Sequence, residues 1–182
     1  MELCKASLDQ IFLGTNHPRK YKGPDLPHHS TVFLQLAEGM EYMHSKNFIH
    51  RDIKPRNVLI SVDSTDDGQQ QQITMKWADF GLSKSVFERE KLEMMLWGFY
   101  GIDGIINWLA PELLKLLTSD EFQQTTQNLQ KRGTVKSDVY ALALVFAYLI
   151  LDGKHLYGWG EIDIPDNIFD DKQVNIGSKL RI

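Results

Sequence analysis

Residues 50–57 read HRDIKPRN, and this stretch decides the fold of the chain. Residues 79–81, DFG, and residues 110–112, APE, follow it in that order. The five fixed letters of the first stretch (His, Arg, Asp, Lys and Asn) would meet by chance in a chain of 182 residues on the order of once in twenty thousand cases. Chance therefore does not explain the pattern.

The three stretches resemble the catalytic loop, the magnesium-binding turn and the end of the activation segment of protein kinases, and their spacing also fits. Phosphoryl transfer needs little covalent help from a protein, because the reaction depends on holding a hydroxyl, the γ-phosphate and two metal ions in line. The resemblance therefore implies ATP and Mg²⁺ as cofactors and a protein hydroxyl as the acceptor.

The resemblance implies a catalytic role for two residues of the first stretch. Asp52 is the candidate base, placed to accept the proton of a substrate hydroxyl. Lys54 is expected beside it, where its charge would counter that of the transferred phosphoryl group and contact the nucleotide. A lysine at this position is more similar to the serine/threonine class than to the tyrosine class. Taken alone, either residue would be interpreted as a solvated surface side chain, so only the joint pattern carries the prediction.

The remaining candidate residues would hold the nucleotide and its metal. Asn57 and Asp79 supply hard oxygen atoms, which are the ligands that Mg²⁺ prefers. The resemblance implies that Leu59 forms the floor under the adenine ring and that backbone groups of Glu2 and Cys4 contact the edge of that ring. These residues complete the predicted nucleotide site.

Other residues are expected to support the catalytic loop. In the kinase interpretation Phe80 packs beneath His50, which is a structural histidine rather than a proton shuttle. Asp138 is expected to accept backbone N–H groups of the loop and to hold His50 and Arg51 in place. The other histidines show no metal-ligand spacing with the single cysteine, and they are interpreted as loop or surface residues: His17, His28, His29, His44 and His155.

The composition indicates an ordinary globular chain with one core: 42% of residues are hydrophobic and the net charge is −4. Mild acidity gives no reason to expect a nucleic-acid site. A single cysteine excludes an internal disulfide framework and suits a reducing compartment. The longest apolar run, residues 139–151, is shorter than the roughly 20 residues of a membrane span, so we expect no membrane segment.

The hydrophobic pattern predicts a mainly α, α+β fold with short β-ribbons. Strands are expected at residues 58–62 and 73–77, joined by a polar loop. Pro111 is expected to open a short helix, and Ser137 to cap a helix over residues 138–151 that is apolar on all sides and forms the buried axis. An earlier helix is predicted with a buried stripe of Phe33, Leu36, Ala37, Met40 and Met43.

Further stretches refine the resemblance. Residues 2–8, 54–61, 108–112, 153–158 and 173–176 are similar to the C-terminal lobe of the inositol-requiring kinase–endoribonucleases of the unfolded protein response and their relative ribonuclease L. The resemblance implies that residues 1–182 form a partial kinase domain without its N-terminal lobe. Expected partners are a protein substrate or the chain itself, with a homodimer implied by the family. The expected location is cytoplasmic, at the cytosolic face of the endoplasmic reticulum membrane if the chain belongs to a longer protein.

Two functions remain open at this point. Intact catalytic and metal-binding residues favour a serine/threonine kinase, regulated by phosphorylation near Arg51 at Ser83, Ser85 or Tyr100. Ile105, which stands where the family has a threonine that bonds the base, and the expected absence of a phosphate-covering lobe favour a catalytically silent interaction module. Upstream sequence and nucleotide binding would discriminate between them.

Overall fold

The computed structural model describes residues 4–64, 71–85, 106–118, 133–159 and 163–176. Glu2, Tyr100 and Ile105 lie outside the described residues. The predicted mainly α, α+β architecture is confirmed. The strands are β1 (Ala6–Ser7), β2 (Phe48–Ile49), β3 (Val58–Ser64), β4 (Gln71–Trp77) and β5 (Lys84–Ser85). The α-helices are α1 (His29–Ser45), α2 (Pro111–Thr118), α3 (Val135–Ile150) and α4 (Asp163–Phe169), with short 3-10 helices at Leu8–Phe12, Pro55–Asn57, Phe80–Leu82 and Ile106–Trp108.

A long antiparallel ribbon of β3 and β4 carries the site. Its register runs from Val58 opposite Trp77 to Ser64 opposite Gln71, and β1 pairs with the other edge of β3. The predicted strands are confirmed, but the ribbon continues two residue pairs into the predicted loop. The ladder continues there because it pairs the backbone groups of Gln71 and Gln72, whose side chains are exposed to solvent. A polar composition alone therefore made the predicted loop two residues too long at each end.

Helix α1 packs on the outer edge of the ribbon. The Met75 N–H donates to Gln35 Oε1 (2.9 Å), Gln35 Nε2 donates to the Ile73 carbonyl (3.3 Å), and Trp77 Nε1 donates to the Leu36 carbonyl (2.9 Å). The two Gln35 bonds satisfy backbone groups at the edge of β4 that could otherwise pair with a strand of another molecule. The ribbon is therefore fixed against a long helix.

The buried stripe of α1 differs from the predicted one. Val32, Leu36 and Met40 are buried, while Phe33 is half-buried and stacks on Phe146 of α3 with 4.3 Å between ring centroids. Ala37 and Met43, also predicted for the stripe, are half-buried as well. The buried stripe of α1 is centred one position earlier than predicted because the helix packs against both the ribbon and α3. The helical pattern of apolar residues alone does not show which residues contact each of these two partners.

Helix α3 begins earlier than predicted. Thr134 is its N-cap, because the Ser137 N–H donates to Thr134 Oγ1 (3.3 Å) and the Thr134 N–H donates to Ser137 Oγ (2.6 Å). Ser137 is thus the N3 residue of a capping box, three positions after the cap, rather than the cap itself. Asp138 lies in the first turn and is buried.

The prediction that α3 is buried on all sides is wrong for the part of the chain that the structure describes. Val145 and Leu149 lie in the core, whereas Val139 is 51% exposed and Ile150 is 41% exposed. Apolar composition indicated burial but could not show which described elements cover each face. No helix within the described ranges is both long enough and apolar enough to cross a membrane.

The loop after α3 is held by a buried polar network. Asn175 Nδ2 donates to the carbonyls of His155 (2.7 Å) and Gly158 (3.0 Å), and the Tyr157 N–H donates to His155 Nδ1 (3.2 Å). The His155 ring packs edge-on against Trp108, with 4.7 Å between centroids. Burial lowers the pKa of His155 to about 4, opposed by a backbone hydrogen bond to Asn107. His155, predicted to be a loop or surface residue, therefore lies in a loop but is buried.

Candidate active site

The open end of the ribbon brings two of the sequence motifs together. Asn57 precedes β3 and Asp79 follows β4, and the two strands meet there at the pair Val58–Trp77. The Ala78 N–H donates to the Asn57 carbonyl (2.9 Å), which extends the ladder beyond the last strand pair. Asn57 and Asp79 therefore lie at the same end of one rigid element.

The catalytic loop forms a compact cluster of three polar side chains. Lys54 Nζ lies 2.8 Å from Asp52 Oδ1, and Asn57 Nδ2 donates to Asp52 Oδ2 (2.7 Å) and to the Asp52 carbonyl (2.8 Å). Asp52 and Asn57 are buried and Lys54 is half-buried. Because both carboxylate oxygens have a partner, the side chain of Asp52 is fixed in one orientation.

The metal residues predicted from the sequence have a donor set that fits Mg²⁺. Asn57 uses its amide nitrogen on Asp52, so its carbonyl oxygen is the atom left for a cation. Asp79 is exposed and has left-handed backbone angles (φ 60°, ψ 68°), which asparagine and aspartate tolerate better than most residues. Among the described residues, no cluster of three or more His, Cys, Asp or Glu side chains could hold a metal alone. Mg²⁺ commonly uses few protein ligands together with substrate phosphates, so this pair suits a nucleotide-borne ion.

Asp138 anchors the catalytic loop, as predicted. Its Oδ2 accepts the His50 N–H (2.8 Å) and its Oδ1 accepts the Arg51 N–H (2.9 Å). The Arg51 backbone has a positive φ of 70°, an unfavourable region for a side chain of this size. The two charge-assisted bonds from a buried carboxylate hold the loop in this conformation.

The residue that sequence reasoning missed is His44. It lies in the last turn of α1, and its Nε2 is 2.9 Å from Asp138 Oδ2. The prediction of a loop or surface histidine is wrong because the partner is far away in sequence and approaches only when α1 packs against α3. The only available signal was a histidine in the helix that leads directly into the HRDIKPRN stretch.

His50 supports the loop from below. It is fully buried, its Nε2 donates to the Ala78 carbonyl (3.1 Å), and its ring lies 5.2 Å from that of Phe80. Burial lowers the pKa of His50, although the charges of Asp138 and Asp52 oppose that shift. The predictions of a structural histidine and of the Phe80 contact are confirmed.

The expected adenine residues lie around β1. Ser7 pairs with Leu59, and the Lys5 N–H donates to the Ile60 carbonyl (2.8 Å). Cys4 and Leu59 are both half-buried. The chain that follows Cys4 therefore runs beside the strand that carries Leu59.

A small recess lies beside Asp52. It has a volume of about 20 Å³, room for one water molecule, and Trp108, Leu113 and Gly133 contribute to its walls. Asp52 is thus one of the residues that line this recess, together with Ala110 of the APE segment, and it is 6% exposed.

Known proteins share these features. The chain matches the protein kinase domain family over residues 2–176. It is similar to "Sensor for unfolded proteins in the ER ire1" of Schizosaccharomyces pombe, with 29% identity over 92% of this chain and 16% of that protein. It is also similar to human "Serine/threonine-protein kinase/endoribonuclease IRE2" (32% identity, 87% of this chain, 15% of that protein). A third relative is "Probable serine/threonine-protein kinase roco6" of Dictyostelium discoideum (38% identity, 68% of this chain, 5% of that protein).

The first two relatives confirm the predicted resemblance to the kinase–endoribonucleases of the unfolded protein response. The chain spans no more than 16% of the length of any of these three relatives. The extent of the family match shows that this chain belongs to the protein kinase family.

Proposed function

We propose that residues 1–182 form the C-terminal lobe of an ATP- and Mg²⁺-dependent protein serine/threonine kinase. The observation that carries the proposal is the cluster in which Lys54 and Asn57 fix both oxygens of the Asp52 carboxylate. A carboxylate held in this way has a defined direction, which a general base needs in order to receive a proton from a substrate hydroxyl.

Asp52 is the proposed catalytic base. One of its oxygens accepts the proton of the substrate hydroxyl as the hydroxyl oxygen bonds to phosphorus and the bond to the leaving phosphate oxygen breaks. Lys54 is close enough to share its charge between Asp52 and an incoming phosphoryl group, which lowers the repulsion between the two anions. Asn57 keeps the Asp52 carboxylate in place through its amide nitrogen, and its carbonyl oxygen would be available to hold the metal.

The proposed nucleotide site combines the two ends of the sheet. Asn57 and Asp79 would hold Mg²⁺, which would supply positive charge to neutralise the phosphate groups. Leu59 supports the adenine ring, and the backbone of Glu2 and Cys4 contacts the ring edge. The support for these adenine contacts is the pairing of β1 with β3, which brings the chain after Cys4 beside Leu59.

Protein hydroxyls are the proposed substrates, either on another protein or on a second copy of this chain within a homodimer. The support is the lysine two residues after Asp52 together with the names of two relatives, both of which are called serine/threonine-protein kinases. We further propose a cytoplasmic location, at the endoplasmic reticulum if the chain is part of a longer protein. The support is the name of the fission-yeast relative, which describes a sensor for unfolded proteins in the ER.

Calorimetric titration of Mg-ATP into the chain tests the proposal. We expect saturable binding that disappears when Mg²⁺ is replaced by a chelator, since the metal joins the phosphates to Asn57 and Asp79. Asp79→Asn should weaken binding at least about tenfold, because it removes a charged ligand worth roughly 1.5 kcal/mol or more.

Asp63→Asn is the matched control, because Asp63 is an exposed carboxylate towards the other end of the same ribbon. This variant should bind Mg-ATP as the unchanged chain does. Absence of Mg-dependent binding, or equal losses in both variants, would reject the proposed site and would favour the silent interaction module.

A further inference from the structure

The indole of Trp77, the last residue of β4, joins the end of the ribbon to two other segments. Its Nε1–H donates to the Leu36 carbonyl of α1 (2.9 Å), although 41 positions separate the two residues in sequence. Its ring packs edge-on against the ring of His50 in the catalytic loop, with 5.8 Å between centroids. Trp77 is 8% exposed, so water competes weakly for the indole N–H.

Helix α1 has a glycine where the indole lies against it. A Cβ at Gly39 would lie 3.1 Å from Trp77 Cδ1 and 3.5 Å from Trp77 Nε1, and the first of these distances is closer than side chains normally approach. The indole can therefore reach the helix backbone because this position carries no side chain. One hydrogen bond and one close contact, both made to the same helix, fix the indole relative to α1.

The residue after Trp77 connects the indole to both candidate metal ligands. The Ala78 N–H donates to the Asn57 carbonyl (2.9 Å), and the Ala78 carbonyl accepts the His50 Nε2–H (3.1 Å). Asp79 follows Ala78 directly in the chain. A shift of the Trp77 backbone would therefore move Ala78 and change the spacing between Asn57 and Asp79.

We propose that Trp77 is a positioning residue for the two candidate metal ligands, Asn57 and Asp79. Its indole anchors the end of β4 to α1, and this anchor holds Asp79 at the distance from Asn57 that a shared cation needs. Trp77 acts through Ala78 and does not itself bind the metal. The role in metal binding rests on the proposed function, whereas the effect of the indole on the Ala78 backbone does not.

Two substitutions disturb the anchor in different ways. Trp77→Phe keeps an aromatic ring beside His50 but removes the N–H that is donated to Leu36. Because Leu36 lies inside α1, its carbonyl keeps an intrahelical hydrogen bond and no buried acceptor is left without a partner. Gly39→Ala keeps the indole and presses on it from the helix. Gly14→Ala is the control for the second substitution, since a Cβ there meets nothing within 4 Å.

Amide hydrogen exchange measured by NMR on the full 182-residue chain tests the anchor. Trp77→Phe should raise the exchange rate of the Ala78 amide about tenfold, because the end of the ribbon opens more easily, and Gly39→Ala should raise it in the same direction. The Met75 amide lies on the same strand but is held by Gln35, so its rate should remain unchanged. An unchanged Ala78 amide in Trp77→Phe, or an equal rise at Met75, would overturn the inference.

Calorimetric titration of Mg-ATP into the same variants tests the link to the metal ligands. Trp77→Phe and Gly39→Ala should raise the Kd for Mg-ATP about three- to tenfold, whereas Gly14→Ala should bind as the unchanged chain does. A merely structural role would lower stability without changing the Kd of the folded protein, so an unchanged Kd in Trp77→Phe would overturn the inference. A faster-exchanging Ala78 amide in a chain that binds no Mg-ATP would reject the proposed function and leave the anchor supported.

Discussion

The two halves of the candidate site are built in different ways. The catalytic loop is fixed on several sides: Asp138 holds its backbone, while Lys54 and Asn57 hold the Asp52 carboxylate. The turn that carries Asp79, which we propose binds the metal, has less support, since Asp79 is exposed and Phe80 is 52% exposed. The only side-chain ties of Phe80 and Ser83 to the loop within the described residues are a ring contact and a 3.3 Å bond, both made to His50.

This difference matches the separate tasks of the two segments. A base must already point at the reacting hydroxyl, so its position has to be set by the protein before substrate arrives. A metal-binding carboxylate receives its position partly from the metal and the phosphates that it contacts. We therefore expect substitutions behind the catalytic loop to act on stability, and substitutions in the turn to act on ligand binding.

The largest stability effect is expected from Asp138→Ala. It leaves the His50 and Arg51 N–H groups and the His44 side chain without their shared acceptor in a buried place. The free energy of unfolding should fall by about 3–5 kcal/mol, as measured by urea denaturation. Asp163→Ala is the control, because Asp163 also lies in the first turn of a helix but is exposed. This variant should lower the free energy of unfolding by less than about 1 kcal/mol. Equal losses would contradict the anchoring role.

Acid should weaken the fold through the buried neutral side chain of His155. Burial lowers the pKa of His155 from 6.5 to about 4, so the unfolded chain binds a proton between these values and the folded chain does not. The stabilisation is complete above pH 6.5 and is lost as the pH falls towards 4, by up to about 3 kcal/mol. In the His155→Gln variant, urea denaturation should show a correspondingly smaller loss of the free energy of unfolding as the pH falls from 6.5 to 4. An identical pH dependence in both proteins would contradict the burial argument.

The third prediction concerns Gly133, which packs closely against the Arg51 side chain. Its φ is +107°, and a Cβ at this position would lie 3.3 Å from Arg51 Cγ. Gly133→Ala should therefore lower the free energy of unfolding by about 1–2 kcal/mol. Gly14→Ala is the matched control, since a Cβ there meets nothing within 4 Å and the backbone is not left-handed. Thermal denaturation of the two variants side by side makes the comparison, and a neutral Gly133→Ala would contradict both the backbone strain and the close approach to Arg51.

The smallest stability effect is expected in the exposed turn. Asp79→Asn should change the free energy of unfolding by less than about 0.5 kcal/mol, because the side chain is exposed and asparagine also tolerates a positive φ. The same urea measurement applies. A loss comparable to that of Asp138→Ala would mean that the turn is as firmly built into the fold as the loop, and the contrast between the two halves would disappear.

Local chemistry in the sequence was enough to identify most of the site. The HRDIKPRN stretch and the ribbon were predictable because motif spacing and strand alternation are local properties. The acceptor role of Asp138, which lies 88 positions from His50, was predictable only from the resemblance to a known family. His44 was not predictable, because its partner comes from a helix 94 positions away. Burial of His155 likewise depends on Trp108 and Asn175, which no periodic pattern connects to it.

The predicted boundaries of α3 and of the ribbon were wrong for a related reason. Thr134 and Ser137 are both good caps, and only the reciprocal bonds decide which one starts the helix. The ribbon continued through Gln71 and Gln72 because strand pairing outweighed their poor strand preference. In both cases a hydrogen-bond partner decided the outcome, and partners are set by the fold.

Paramagnetic broadening by Mn²⁺-ATP in an NMR spectrum of the chain tests the central claim most directly. Mn²⁺ replaces Mg²⁺ at oxygen sites and erases signals of nuclei near it. The account predicts selective loss of the Asn57 side-chain amide signal and of the Asp79 and Gly81 backbone signals at low Mn²⁺-ATP. Broadening centred on the acidic helix Asp163–Phe169, with Asn57 and Asp79 unaffected, would contradict it.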